Sequence, residues 1–346
     1  MTALADTPEE AVRARTYRVP RAGWLVVAAK ELADHVSSIR FLVVLGVLAI
    51  AAGIPLYFAT DTLRELASAV SEQRALFLAL FLIGEETPFA TLRVDTFVGL
   101  VAPLLGIALA FDAVNGERAR GTLPRLLSQP IHRDDVINGK LAGGLAAIGI
   151  GLAAMVALIS GFALVRLGIV PSADEFVRLI LWTLVTFLYV AMWLAFGLLL
   201  SVIVRSAATS ALIGFGVWVL VGFFGRAITS LIAGILAPIQ YATVEDELRT
   251  RAANDLFTRV LPSSLYQETS IVLLNPFATR VSSPSTLSEA IQLANQQAAA
   301  DVLGRSPVAL EQSLLLVVPH IIAMVAITAA CFAAAYVLFM RQEVRA

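Results

Sequence analysis

Six apolar runs of bilayer-spanning length restrict this chain to one class of fold. The first, residues 41–59, holds nineteen residues without a charge, enough for a hydrocarbon core of about 30 Å at about 1.5 Å per helical residue. A segment in lipid must satisfy its own backbone polar groups, so such runs form helices. We therefore predict an all-α integral membrane protein with six transmembrane helices. The spans are expected near residues 41–59, 96–111, 141–165, 179–204, 206–226 and 314–340.

Composition agrees with this class and excludes others. Hydrophobic residues make up 58% of the chain and charged residues 15%, against about 25% charged in soluble domains. The net charge of −1 and the absence of a basic cluster argue against a nucleic-acid partner. A single cysteine, Cys331, excludes an intrachain disulfide and a CxxC metal site. We expect no metal and no cofactor.

The first forty residues lack a span. We predict a cytosolic tail followed by a helix lying in the membrane interface, because apolar residues repeat at helical spacing from Trp24 onward. Lys30 and Asp34 are placed to form an i, i+4 ion pair on its polar face. The predicted organisation is 1–40 for the tail and interfacial helix, 41–340 for the transmembrane domain and 341–346 for a short cytosolic end.

The segments between spans carry further expectations. The ten-residue apolar piece 75–84 is too short to cross and is predicted as an interfacial or re-entrant helix. Glycines at the start of the third span, such as Gly139 and Gly143, are predicted to let neighbouring helices approach closely. After Arg226 the remaining apolar residues are expected to lie at the outer leaflet. The long loop 238–313 should contain helices near 244–260 and 286–303.

The polar segment 112–140 lies between two spans and must form a loop on one side of the membrane. Inside it, Thr122 can cap a short helix, and Pro130 should end that helix because proline lacks an amide donor. Leu123, Leu126 and Leu127 then form one apolar stripe on a charged segment. Such a stripe predicts a groove on a partner.

These residues carry a resemblance. The run Glu117-Arg118-x-x-Gly121-Thr122-Leu123, with Leu126-Leu127-Ser128-x-Pro130-Ile131-x-Arg133 and Gly139-Lys140 after it, resembles the first cytoplasmic loop of type 2 ABC-transporter permeases. That family includes nitrous-oxide-reductase maturation systems and sodium or drug exporters. The sequence departs from the pattern at Pro124 and His132.

The resemblance implies a role for the loop and a set of partners. The helix in it would be a coupling helix seated in a cleft of a separate ATP-binding cassette ATPase, and the N-terminal interfacial helix would be an elbow helix. A second permease subunit, identical or different, would complete the membrane part. The residues implied in ATPase coupling are Glu117, Arg118, Gly121, Thr122, Leu123, Leu126, Leu127, Pro130, Arg133 and Lys140.

The distribution of lysine and arginine predicts orientation. With both termini inside, the cytoplasmic segments hold fourteen of these residues and the short outer loops hold five. Segment 112–140 then faces the cytosol, the long loop 238–313 faces outward, and the chain is a multi-pass protein of the cytoplasmic membrane.

Function follows as an expectation with alternatives. Neither Lys30 nor Lys140 lies in a phosphate-binding loop, so ATP hydrolysis is expected in a partner and this chain is not an enzyme and has no catalytic residues. Spans without charge favour an exported lipid, amphiphile or hydrophobic drug. The alternatives are a non-transporting membrane scaffold that recruits a soluble partner through 112–140, and a secondary transporter, which would require charges within the spans.

Overall fold

The computed structural model describes residues 22–69, 76–82, 85–86, 91–123, 131–168, 170–236, 243–278 and 308–342. The regular secondary structure of this part is helical except for β1 (Glu85–Glu86) and β2 (Thr91–Leu92), which form one antiparallel pair. The helices are α1 (Gly23–Val36), α2 (Ile39–Ala69), α3 (Leu76–Leu82), α4 (Val94–Ala110), α5 (Asn115–Ala119), α6 (Arg133–Phe162), α7 (Ala173–Ile203), α8 (Ala207–Val219), α9 (Gly225–Leu236), α10 (Val244–Thr258), α11 (Pro262–Leu274) and α12 (Leu310–Arg341).

Six helical stretches in the described residues are long and apolar enough to cross a membrane. They confirm the all-α fold class, and the number of candidate spans equals the predicted six. The helices extend beyond the apolar runs: α2 continues to Ala69 and α12 begins at Leu310. Hydropathy marks the residues that tolerate lipid, whereas caps and packing set the ends of a helix. The limits of each span within a bilayer stay a prediction.

Helix α7 is the centre of the bundle and packs against α4, α6, α8, α11 and α12. Its side chains Trp182 and Tyr189 are almost fully buried. The sequence placed residues 166–178 in a turn, but α7 already begins at Ala173. Ser172 caps it by accepting a hydrogen bond from the Glu175 amide, while the Glu175 side chain accepts one from the Ser172 amide. This reciprocal capping starts the helix two turns before the apolar run.

The fifth span is continuous. Helix α8 passes through a π-helical turn, Leu220–Phe224, into α9 without an interruption. The sequence predicted a span ending at Arg226, but one arginine does not break a helix whose backbone hydrogen bonds continue. The Arg226 side chain donates to the amide oxygen of Gln267 on α11. The position of residues 227–236 relative to a leaflet stays a prediction.

The segment after α9 includes two described helices. Helix α10 confirms the predicted patch near 244–260, whereas the patch at 286–303 lies outside the described residues. The predicted break at 261–266 is confined to its first residue, because Pro262 is accepted in the first turn of α11. Helix α11 enters the bundle, where the Tyr266 ring stacks on Tyr189 with centroids 4.6 Å apart.

Candidate coupling site

The polar segment begins with a rigid corner. After α4, the backbone turns through 111–114 into the short helix α5, and the amides of Val114 and Asn115 donate to the Ser201 hydroxyl of α7 at 2.9 and 3.2 Å. Asn115 also donates from its side chain to the carbonyl of Val204. Both residues are fully buried. The first limb of the segment, by which we mean residues 112–119 including α5, is therefore fixed to the end of α7.

The chain reverses after α5. Gly121 has a φ of +68°, a conformation that costs other residues energy because of their Cβ atoms. The Thr122 hydroxyl donates to the Glu117 carbonyl at 3.2 Å, and the turn that Thr122 was predicted to cap continues outside the described residues. Leu123 is 1% exposed and belongs to the hydrophobic core. Leu126, Leu127 and Pro130, which were predicted to form and end the coupling helix, lie outside the described residues.

Lys140 is the centre of a buried ion cluster. Its Nζ atom lies 2.9 Å from Glu31 Oε1 on α1 and 2.9 Å from Glu117 Oε1 on α5. Lys30 approaches the same Glu31 oxygen at 3.1 Å and pairs with Asp34 at 3.1 Å, which confirms the predicted i, i+4 pair. We call these five residues the ion cluster. Burying a lysine is tolerable only when carboxylates compensate its charge, and here three helices supply the charges.

The cluster changes proton affinities on α1. Burial alone would raise the pKa of Glu31, but attraction to Lys140 and hydrogen bonds from Lys140 and Lys30 outweigh it, so this pKa is lowered. Burial opposes the charge of Lys30, yet Glu31 and Asp34 raise its pKa. Burial lowers the pKa of the neighbouring His35. Both shifts favour the charged forms of Glu31 and Lys30.

Helices α1 and α6 touch at two glycines. A Cβ atom on Gly139 would lie 2.5 Å from Val27 Cβ, and one on Gly143 would lie 2.7 Å from Glu31 Cβ and 2.9 Å from the Ala28 carbonyl oxygen. This confirms that small residues at the start of α6 allow close packing. The close approach brings Glu31 within reach of Lys140.

The second limb of the segment, residues 131–140 at the start of α6, forms hydrogen bonds with the beginning of α1 and with the residue after α12. Asp135 of α6 accepts hydrogen bonds from its own cap residue, His132, and from the Trp24 amide at the start of α1, both at 3.1 Å. Gln342, after α12, receives a hydrogen bond on its side-chain oxygen from Arg118 and one on its carbonyl from Arg133 at 3.1 Å. It donates to the Val202 carbonyl of α7 at 2.9 Å.

The structure thus groups the predicted site residues in two ways. Glu117 and Lys140 have partners inside the chain, and Arg118 and Arg133 meet at Gln342. The role of the predicted set in contacting an ATPase stays a prediction. Sequence reasoning missed Glu31, Asp135 and Gln342 as partners. Acidic residues at the start of α6 were a signal for the cap at Asp135, whereas nothing in the sequence marked Gln342.

The six long apolar helices indicate a multi-pass membrane protein. Residues 25–344 match the family model described as ABC-2 family transporter protein, so the chain belongs to this family. The predicted resemblance to type 2 ABC permeases is confirmed.

One relative shows the same class. The chain is similar to the probable ABC transporter permease protein NosY of Stutzerimonas stutzeri, with 31% identity over 124 residues. The match covers 34% of this chain and 43% of that protein, so it spans less than half the length of the relative.

Proposed function

We propose that this chain is the permease subunit of an exporter in the cytoplasmic membrane, driven by a separate ATP-binding cassette ATPase. Two permease subunits, identical or different, pack side by side, and an ATPase subunit binds each one through segment 112–140. Membership of the ABC-2 family supports the permease role. The excess of lysine and arginine in the segments on the same side as 112–140 supports a cytosolic location for this segment.

The observation that carries the mechanism is the attachment of both limbs of segment 112–140 to the same helices. The ion cluster joins α5 and α6 to α1, while Gln342 joins Arg118 and Arg133 to the end of α12. A force on the apolar stripe between the limbs would reach the spans through charged contacts and not through a flexible loop. Closure of the ATPase dimer on ATP then rocks the spans as rigid bodies.

The first experiment is purification of the tagged chain from its native membranes in mild detergent. A co-purified ATPase with a phosphate-binding loop is expected, together with ATP-dependent flux in reconstituted vesicles. Leu126→Asp should remove the ATPase or uncouple its hydrolysis from transport, because a charge would enter the apolar stripe.

A matched control is Leu256→Asp, the same substitution at an exposed leucine of α10. It should leave both ATPase binding and flux unchanged. Isolation without an ATPase in several mild detergents, or unchanged transport in Leu126→Asp, would contradict the proposal. Recovery of a soluble partner without any flux would support the scaffold alternative.

A further inference from the structure

A cavity of about 300 Å³ lies in the half of the bundle opposite segment 112–140. It is bounded by α4, α7, α11 and the π-helical turn after α8. Its volume is at the small end of the range for small-molecule sites, and about twice the roughly 150 Å³ of an engineered apolar cavity that binds benzene. The cavity therefore has room for a compact molecule the size of two fused rings.

A glycine in the wall leaves this space open. A Cβ atom on Gly222 would have Leu100 Cδ1, at 3.4 Å, as its nearest neighbour among the described residues, and both residues line the cavity. Gly222 belongs to the π-helical turn, and its φ is not positive, so its backbone does not require glycine. Such turns are frequent at functional sites, and an empty apolar cavity lowers stability. A ligand that fills this cavity would therefore stabilise the bundle.

Aromatic rings form much of the wall. Trp218 and Phe223 meet edge to face, with ring centroids 5.7 Å apart. Tyr189 and Trp193 of α7 also line the cavity. The Trp218 N–H donates to the Leu100 carbonyl at 2.7 Å, so this indole needs no polar partner from the cavity. Flat aromatic molecules make edge-to-face and offset-stacked contacts with such rings, which a flexible hydrocarbon chain cannot make.

The described lining residues give an ion little compensation for its charge. None of them carries a carboxylate, and Arg226, the one charged residue among them, is exposed at the surface and donates to the Gln267 side-chain oxygen. The hydroxyls of Thr96 and Ser263 in the lining are uncharged. An ion in the cavity would lose its hydration without an opposite charge to offset the loss. The cavity therefore favours an uncharged ligand.

We propose that this cavity binds a compact, uncharged aromatic molecule the size of two fused rings. The molecule lies against Trp218 and Phe223 and occupies the space that Gly222 leaves open. The proposal concerns a ligand and not energy coupling, so it goes beyond the proposed function and is testable without an ATPase. Failure to find an ATPase would contradict the proposed function and leave this site intact.

The test measures binding of tritiated 2-naphthol, which is uncharged at about pH 7 because it is a phenol, to the full chain in phosphatidylcholine nanodiscs. Equilibrium dialysis with and without excess unlabelled 2-naphthol separates saturable binding from partition into the lipid. We expect a single saturable site per chain. Gly222→Phe should weaken binding by about tenfold or more, because the added ring occupies the cavity.

Gly216→Phe is the matched control, because a Cβ atom on Gly216 of α8 has no neighbour within 4 Å among the described residues. It should leave binding unchanged. Thermal unfolding distinguishes a filled cavity from a misfolded variant, since Gly222→Phe should unfold at the wild-type temperature or above it. Gly222→Leu, which fills less of the space, repeats the test if Gly222→Phe does not fold.

Competition defines the class of ligand. Naphthalene should displace 2-naphthol, whereas 2-naphthalenesulfonate, which adds a charge to the same rings, and nonanol, an uncharged flexible chain, should not. Displacement by nonanol as effective as that by naphthalene would assign the cavity to lipid chains and overturn the proposal, and equally effective displacement by the sulfonate would also overturn it. So would the absence of saturable binding in the wild type, or unchanged binding in a folded Gly222→Phe variant.

Discussion

Lys140 Nζ lies 2.9 Å from Glu117 Oε1 and is almost completely buried, so one lysine of α6 fixes the short helix that begins the polar segment. The same nitrogen holds Glu31 of α1 at the same distance. Three helices that are separated in the chain are therefore joined through a single charge. Because a buried charge is costly when it loses a partner, the arrangement resists separation of these helices.

Replacing this lysine should destabilise the protein. Lys140→Met leaves Glu31 and Glu117 buried without their main counterion, and we expect a loss of about 3–5 kcal/mol. Thermal unfolding of the purified protein in detergent measures the effect. Lys30→Met is the control: its side chain is 52% exposed, so we expect at most about 1 kcal/mol.

A triple variant tests whether the cost comes from uncompensated charge. Glu31→Gln and Glu117→Gln combined with Lys140→Met should recover part of the stability lost in Lys140→Met, because no buried charge is then left unpaired. If the triple variant is as unstable as the sum of its single substitutions, packing and not charge is the cause.

Stability should fall as the pH falls below neutrality. Burial lowers the pKa of His35 in the folded protein, in a surrounding formed by Glu31, Lys140, Asp112 and Asp34. The unfolded chain then binds a proton near pH 6.5 while the folded chain does not, so stability is present above about pH 6.5 and decreases as the pH falls toward the folded-state pKa.

Thermal unfolding between pH 8 and pH 5 measures this dependence, and His35→Gln should flatten it. At lower pH, Glu31 causes a further loss of stability. Because the pKa of Glu31 is lowered in the folded protein, this residue contributes stability above the pKa of the unfolded chain, about 4.3, and the contribution disappears as the pH falls through the folded-state pKa. A slope that persists unchanged in His35→Gln would contradict the assignment to this ring.

Adding one methyl group at Gly143 should push α1 and α6 apart. In Gly143→Ala the new Cβ would lie 2.7 Å from Glu31 Cβ and 2.9 Å from the Ala28 carbonyl oxygen, so the helices must move apart and the ion cluster must lengthen. We expect a lower unfolding temperature. Gly149→Ala, on the same helix, has Phe187 at 3.8 Å as its nearest neighbour. It should be neutral or stabilising by up to about 1 kcal/mol, because alanine favours a helix.

Orientation can be tested with single cysteines in a Cys331→Ala background. Gln129→Cys should react with a membrane-impermeant maleimide only after the membrane is opened, because segment 112–140 is predicted to face the cytosol. Glu245→Cys, at an exposed position of α10, should react in intact cells. The reverse pattern would invert the proposed topology and remove the ATPase from segment 112–140.

Much of the fold and part of the site can be predicted from the sequence. The apolar runs predicted six spans because lipid requires helices, and the spacing of Lys30 and Asp34 predicted their pair because residues four apart share a helix face. The motif from Glu117 to Lys140 indicated the permease family, which the match over residues 25–344 confirms. Each of these features is local, so it is visible without the fold.

Only the tertiary structure decided which charges meet. Glu31, Glu117 and Lys140 come together because Gly143 lets α1 approach α6, and Gln342 reaches both arginines because α12 ends beside α7. Such pairings depend on distances between helices far apart in the chain, and hydropathy and spacing along one helix do not encode them.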